Sequence, residues 1–221
     1  MRVAILCSGR GSNLLALLRA SEANLLEPAE LRIVLTDSAA AGAINIAREW
    51  GLYAAVVPRS AYHANRDGYE RRLLEVLAPH EIELVVLAGY KRILGPVFLE
   101  AFPNRIINIH PALLPSFRGQ DVWPQEVASG IKLAGATVHF VEQGVDSGPI
   151  IIQGAVPVLD DDGPDELAER ILRVEHQILP QALAWLASGR LSIENGRVRL
   201  EKTDSLESAA AQTLIWPPLN I

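Results

Sequence analysis

Cysteine is almost missing from this sequence: its 221 residues include one, Cys7, which excludes an internal disulfide framework. Placed at the end of the apolar run Val3–Cys7, it reads as a small buried hydrophobe. Long apolar runs are missing too. Nowhere do about 18 consecutive apolar residues occur, and Met1–Leu6 is too short for a secretory signal before the chain turns into glycines. A cytoplasmic protein is therefore expected. Positive charge is in deficit, with 20 Lys+Arg against 26 Asp+Glu, a net charge of −6 and a pI of about 5.4. Without a long basic run, neither nucleic acid nor an anionic membrane is an expected partner, because affinity for phosphate-rich surfaces comes from clustered Lys and Arg. Metal-ligand spacing is likewise absent: His63, His80, His139 and His176 stand alone, and there is no Cys cluster or His-Glu-x-x-His. The Asp160-Asp161-Asp162 run, followed by Pro164 and further acids, reads as the acidic start of a helix, so no metal is expected.

What is present is 49% hydrophobic and arranged in alternating short and long units. Val3–Cys7, Leu31–Thr36, Tyr53–Val57, Leu84–Ala88 and Arg105–His110 read as strands; Asn13–Ala23, Ala41–Trp50 and Asp67–Leu77 read as amphipathic helices, with one or two helical turns at Pro96–Phe102. Strands that are apolar throughout imply a sheet covered on both faces. The fold class is α/β, a doubly wound, mostly parallel sheet with a modified C-terminal portion. Gly135–Val141 and Pro149–Val158 are strands close enough in sequence to pair antiparallel. A helix from Pro164 toward Gly189 should bend or break near Pro180, and Arg190–Leu200 should form a hairpin about Asn195-Gly196. Residues 1–200 are read as one domain and 201–221 as a tail, whose Leu214, Ile215 and Trp216 are apolar enough to cover their own domain or a partner.

Two places carry chemistry. Ser8-Gly9-Arg10-Gly11-Ser12-Asn13 joins a strand to a helix, where backbone N–H groups and the positive helix end hold anions. It is not a Walker A loop, and Leu14 replaces the third glycine of the dinucleotide fingerprint. Asp37 is also too far along the chain to be that fingerprint's ribose acid, so a phosphate monoester fits better than a nicotinamide cofactor. Asn108-Ile109-His110-Pro111 ends another strand, where Asn108 and His110 project to the same side and offer an amide and a titratable donor to one small volume. Such a pair can stabilise charge on a carbonyl oxygen and move a proton. If the Val145-Asp146-Ser147-Gly148-Pro149 loop folds over His110, the Asp146 carboxylate favours the imidazolium and orients its ring.

Taken together, Ser-Gly-x-Gly-Ser-Asn at 8–13, Leu-Ala-Gly-Tyr-Lys-Arg-Ile-Leu at 87–94, Asn-Ile-His-Pro-Ala-Leu-Leu-Pro at 108–115, Thr-Val-His-Phe-Val at 137–141, Asp-Ser-Gly-Pro-Ile-Ile at 146–151 and Glu-His at 175–176 closely resemble the phosphoribosylglycinamide formyltransferase family. The matches follow the family order over about the first 200 residues. The resemblance implies a Rossmann-like formyltransferase fold and transfer of a formyl group from 10-formyltetrahydrofolate, a co-substrate, to the amine of glycinamide ribonucleotide in de novo purine biosynthesis. It implies Asn108, His110 and Asp146 as the catalytic residues. By the same resemblance Gly11, Ser12 and Asn13 hold the 5′-phosphate, and Leu172, Arg173, Val174 and Glu175 line the ribonucleotide. The folate would lie against Arg66, Lys91, Arg92, Ile93 and Leu94, against Asn108, and against the loop Glu142, Gln143, Gly144, Val145 and Asp146. Read on their own, Ile93 and Leu94 are core residues and Arg66 a solvated surface arginine; the resemblance implies that Arg66 meets the anionic tail of the folate. A monomer or homodimer binding only small molecules is the corresponding expectation.

The match weakens after Pro115. Ser116-Phe117-Arg118-Gly119-Gln120-Asp121-Val122-Trp123 replaces the family's Pro-Gly and histidine-containing stretch, and its Arg118-Gly119 is similar to methionyl-tRNA formyltransferases. The departure bears on the acceptor. The acidic balance and the lack of an added C-terminal RNA-binding domain speak against tRNA. Two further activities compete with transfer to the ribonucleotide: hydrolysis of formyltetrahydrofolate, which would be expected with an N-terminal regulatory domain, and non-catalytic sensing of a ribonucleotide or folate.

Overall fold

The computed structural model describes residues 1–62 and 64–201; His63 and the tail residues Leu214, Ile215 and Trp216 lie outside the described residues. A seven-stranded sheet runs in the order β3-β2-β1-β4-β5-β6-β7. Its strands are β1 (Arg2–Cys7), β2 (Glu30–Thr36), β3 (Tyr53–Val56), β4 (Leu84–Leu87), β5 (Ile106–His110), β6 (Leu133–Phe140) and β7 (Ile150–Pro157). The first five are parallel, and β6 and β7 pair antiparallel.

The continuous apolar strands do face two cores. Along β1, Val3, Ile5 and Cys7 join one cluster while Ala4 and Leu6 join the other, the two-residue alternation of a strand buried on both sides. The first cluster packs under α1 (Ser12–Glu22), α2 (Gly42–Glu49) and α6 (Pro164–Ala187); the second packs under α3 (Arg66–Leu77) and α4 (Pro96–Ala101). Each fully buried Leu or Ile in these layers contributes about 1.5–3 kcal/mol by removal from water. Burial also pushes the Cys7 thiol up to about 12, consistent with an unreactive core residue.

This topology positions the site. Strand order reverses between β1 and β4, and the loops that leave them, 8–11 and 88–95, meet there: the Ser8 amide donates to the Gly89 carbonyl at 3.1 Å and the Lys91 amide to Ser8 Oγ at 2.9 Å. The adjacent end of β5 carries Asn108 and His110.

Three local expectations change or sharpen. α6 is not broken at Pro180 but runs as one 24-residue helix. Ile178, Leu179, Ala182 and Leu183 bury on both sides of the proline and hold the helical path against a cost of about 3 kcal/mol for the lost bond and ring clash. Pro180 faces a groove of about 550 Å³ between α6 and α1, lined also by Leu15, Ala16 and His176. Asp162 accepts two bonds from Arg170 and one from the Leu159 amide, while Asp160 pairs with Lys132, so these two acids are engaged by neighbours at the helix start. The hairpin of β8 (Leu191–Glu194) and β9 (Arg197–Leu200) turns through Asn195 and Gly196, both with positive φ as a type I′ turn requires.

One further helix is illegible in the sequence: α5, Val122–Ser129. Pro124 is compatible with it because it occupies the first turn, where its missing N–H is one of the groups a helix leaves unbonded. α5 buries Glu126, 1% exposed, with both carboxylate oxygens lacking a partner among the described residues. Burial pushes this carboxyl up to about 7 from 4.5. The folded chain thus prefers the neutral acid, and stability present below pH 4.5 is lost as pH rises toward 7, by about 3 kcal/mol. In Glu126→Gln that loss is abolished: urea unfolding across pH 4.5–8 should show the variant gaining on the parent by about that amount, and parallel curves would refute it.

Candidate active site

Antiparallel pairing of β5 with β6 sets Asn108 opposite His139 and His110 opposite Thr137. Asn108 Nδ2 lies 3.2 Å from His139 Nε2, and the opposite ring nitrogen, Nδ1, donates to the Phe140 carbonyl at 2.8 Å. The bond at Nδ1 fixes the ring, so that Nε2 faces the Asn108 amide.

The 141–149 loop folds back over this strand end. Asp146, with φ of 46°, directs Oδ2 to His110 Nδ1 at 3.4 Å and Oδ1 to His139 Nε2 at 3.6 Å and Asn108 Nδ2 at 3.5 Å. Oδ2 also accepts from the Gly119 amide at 2.9 Å. One carboxylate therefore gathers two imidazoles, one amide side chain and one backbone N–H. Burial opposes its charge, but His139, the Gly119 N–H and His110 together outweigh that, and the Asp146 carboxyl is held below its usual range.

His110 is 4% exposed and donates Nε2–H to the Phe117 carbonyl at 2.8 Å. Both ring nitrogens thus face oxygen acceptors, as an imidazolium prefers. The expectation that Asp146 raises the proton affinity is met in sign but not in sum. Desolvation is the larger effect, Phe117 and Asp146 oppose it, His139 adds to it, and the His110 pKa falls below 6.5. Phe117 and Gly119 belong to the segment that departs from the family pattern, so that departure touches the His–Asp pair directly. Thr137 pins the chain just ahead of that segment, donating to the Ala112 carbonyl and accepting from the Leu114 amide.

Across the sheet edge, Gly11 precedes α1 with φ of 85°, and a Cβ there would lie 2.8 Å from the Ala43 backbone. Glycine is required on both counts. It leaves the first amides of α1, from Ser12 and Asn13 onward, without intrahelical acceptors at the sheet's carboxyl edge. Asn13 is 7% exposed; Nδ2 donates to Glu175 Oε2 at 2.7 Å, while Oδ1 is buried with no partner among the described residues. Glu175 stands in the core-facing row of α6 with Ile171 and Ile178, and burial pushes its carboxyl up despite the Asn13 bond. Of its neighbours, Leu172 is half-buried, Arg173 exposed, and Val174 packs where a Cβ on Gly154 would be.

Among the residues expected to meet the folate, Leu94 is core as expected, but Ile93 is 64% exposed, contrary to its reading from the sequence alone. Arg92 pairs with buried Asp37 at 2.5 Å, and Lys91 is exposed. In the facing loop Glu142, Gln143, Gly144 and Val145 are all exposed, Val145 to 44%. Ile93 and Val145 are thus two large apolar side chains left in solvent on these loops.

A family model described as Formyl transferase matches residues 1–183. The chain belongs to the formyl transferase family. Among its relatives, this formyl transferase is 35% identical over 91% of its length to phosphoribosylglycinamide formyltransferase of Escherichia coli, covering 94% of that protein. It is 40% identical over 89% of its length to the trifunctional purine biosynthetic protein adenosine-3 of Bos taurus, of which it spans only 19%. The crystal structure of glycinamide ribonucleotide transformylase 1 from Symbiobacterium toebii superposes with a TM-score of 0.88 at 44% identity, over 91% of this chain and 94% of that one. A Rossmann-like formyl transferase fold is thus established. No helix among the described residues is long and apolar enough to cross a membrane.

His139 stands alone in the sequence of this formyl transferase, yet the structure puts it inside the Asn108–Asp146 cluster. The signal is present in Thr-Val-His-Phe-Val, but only the β5–β6 register says which residue His139 opposes.

Proposed function

We propose that this formyl transferase moves the formyl group of 10-formyltetrahydrofolate to the primary amine of glycinamide ribonucleotide, in de novo purine biosynthesis. The observation that carries this reading is the convergence of Asn108, His110 and Asp146 at one strand end, on the same sheet edge as a glycine loop joined to Glu175.

The phosphate of the ribonucleotide fits the unbonded amides at Gly11, Ser12 and Asn13. Glu175 and the orphaned Asn13 Oδ1 are buried acceptors suited to ribose hydroxyls, with Leu172, Arg173 and Val174 along the same helix turn. On the folate side, exposed Ile93 and Val145 supply apolar walls. Lys91, Arg92 and Arg66 add positive charge toward an anionic tail, Leu94 anchors the wall from beneath, and Glu142, Gln143 and Gly144 shape the facing loop.

In the reaction, the neutral amine attacks the formyl carbon and the carbonyl electrons move to oxygen. Asn108 Nδ2 and protonated His110 donate to that oxyanion, the His110 Nε2–H turning to it from the Phe117 carbonyl. Burial disfavours the imidazolium in the free protein; Asp146 opposes that, and the developing oxyanion adds to its effect. Collapse breaks the carbon–N10 bond, and the proton lost by the new ammonium passes to N10 directly or through water. No covalent enzyme intermediate forms.

Purified protein incubated with 10-formyltetrahydrofolate, with and without glycinamide ribonucleotide, tests the reading through release of tetrahydrofolate. Acceptor-dependent release supports it. Release without acceptor would mean hydrolysis, and binding without release would mean a sensor; either outcome refutes the transferase.

A further inference from the structure

Glu70 is a carboxylate in α3 with 0% exposure, far from the reacting cluster in sequence and engaged on every side. Its Oε1 accepts from the Gly95 amide at 2.5 Å and from Arg66 Nε at 3.1 Å, and its Oε2 accepts from the Phe98 amide at 3.0 Å. Gly95 and Phe98 are the N-cap and third residue of α4, so Glu70 satisfies two of the amides that a helix start leaves unbonded. Arg66 completes the arrangement by donating Nη2–H to the Ile93 carbonyl at 3.0 Å. There is no room for a side chain inside this clamp: a Cβ on Gly95 would sit 2.6 Å from Arg66 Nε and 2.7 Å from Glu70 Oε1.

The clamped backbone is the second half of the segment proposed to carry the folate. Its first half is held elsewhere, by Ser8 at Gly89 and Lys91 and by Asp37 at Arg92. Between the two anchorages Leu94 is buried in the cluster that includes Leu73 of α3, and Ile93 is turned out to solvent. A buried charge satisfied by three donors is costly to disturb, which makes it an effective fixed point for the chain it holds.

We infer that Glu70 and Arg66 are positioning residues for the formyl folate: acting through the backbone of Ile93, Gly95 and Phe98, they hold the apolar wall on which the folate lies. Arg66 buttresses that wall through the Ile93 carbonyl, a role separate from any charge it presents to the folate's carboxylate tail. This rests on the proposed folate site, which it deepens. Neither side chain reaches the reacting carbon, so the effect is on folate binding and not on turnover.

The test uses the full chain with Glu70→Ala, Glu70→Gln and Arg66→Met. Steady-state kinetics should show KM for 10-formyltetrahydrofolate raised about tenfold or more in Glu70→Ala, with kcat and the ribonucleotide KM within about threefold. Glu70→Gln, which keeps one acceptor oxygen, recovers part of that loss, and it carries the test with Arg66→Met if Glu70→Ala does not fold. Amide hydrogen exchange at Gly95 and Phe98 should accelerate in both Glu70 variants. Arg66→Met is assayed with the natural substrate and with 10-formyltetrahydropteroate, which lacks the glutamate tail. A similar KM increase with both supports the buttress; an increase confined to the tailed substrate makes Arg66 a tail ligand and overturns the inference. Wild-type protein that binds formyl folate alongside variants with unchanged KM and exchange overturns the inference alone. Wild-type protein that binds no formyl folate overturns the proposed function as well.

Discussion

Replacing His110 with Ala is expected to lower kcat by about 10²- to 10³-fold, because the side chain supplies the charged one of the two oxyanion donors. The KM for the ribonucleotide should stay within about threefold, since the phosphate loop and Glu175 do not contact the imidazole. Asp146→Asn keeps the size of the side chain but removes the charge that favours the imidazolium and one acceptor shared by His110 and the Gly119 amide. Its kcat should fall by about 10²-fold or more. A second readout separates this from a structural defect. In the free protein the His110 ring titrates below 6.5 because burial outweighs Asp146, and with the carboxylate gone the NMR titration midpoint should move lower still. Because folding prefers neutral His110, its contribution to stability is complete above pH 6.5 and is lost as pH falls through the lowered pKa. Near-normal turnover in either variant removes that residue from the reaction, and an unchanged midpoint in Asp146→Asn removes the electrostatic account.

At the opposite end of the site, Gly11→Ala should raise the KM for glycinamide ribonucleotide at least about tenfold. A left-handed backbone costs a non-glycine residue roughly 1–2 kcal/mol. The added methyl would also approach the Ala43 backbone to 2.8 Å and Ile46 Cδ1 to 3.0 Å, so α1 and α2 must separate and the first amides of α1 turn away from the phosphate. Gly9 provides the contrast within the same loop: no atom lies within 4 Å of a Cβ built there, and Gly9→Ala should cost much less. Calorimetry with the ribonucleotide alone measures both. Equal affinities for the two variants would exclude Gly11 as the pivot of the phosphate site.

The layered fold was legible because it is written in short-range patterns. Strands apolar on both faces, such as Val3–Cys7 and Leu84–Leu87, state that helices cover both sides of the sheet. Asn195-Gly196 states its turn, and a glycine loop between strand and helix states where an anion fits. A pattern of equal strength failed where a local rule met a larger packing term, as at Pro180, and α5 was not foreseen at all.

By itself, then, the sequence determined the doubly wound architecture, the glycine loop between the first strand and the first helix, and the side of the strand that Asn108 and His110 share. Each of these follows from neighbours within a few residues. Only the tertiary structure decided that His139 joins them, that Asp146 reaches all three, that Arg66 is spent on Glu70 and Ile93, and that His110 is pulled below rather than above its ordinary proton affinity. Those outcomes are sums of contacts and desolvation from chain segments dozens of residues apart, and no local pattern contains such a sum.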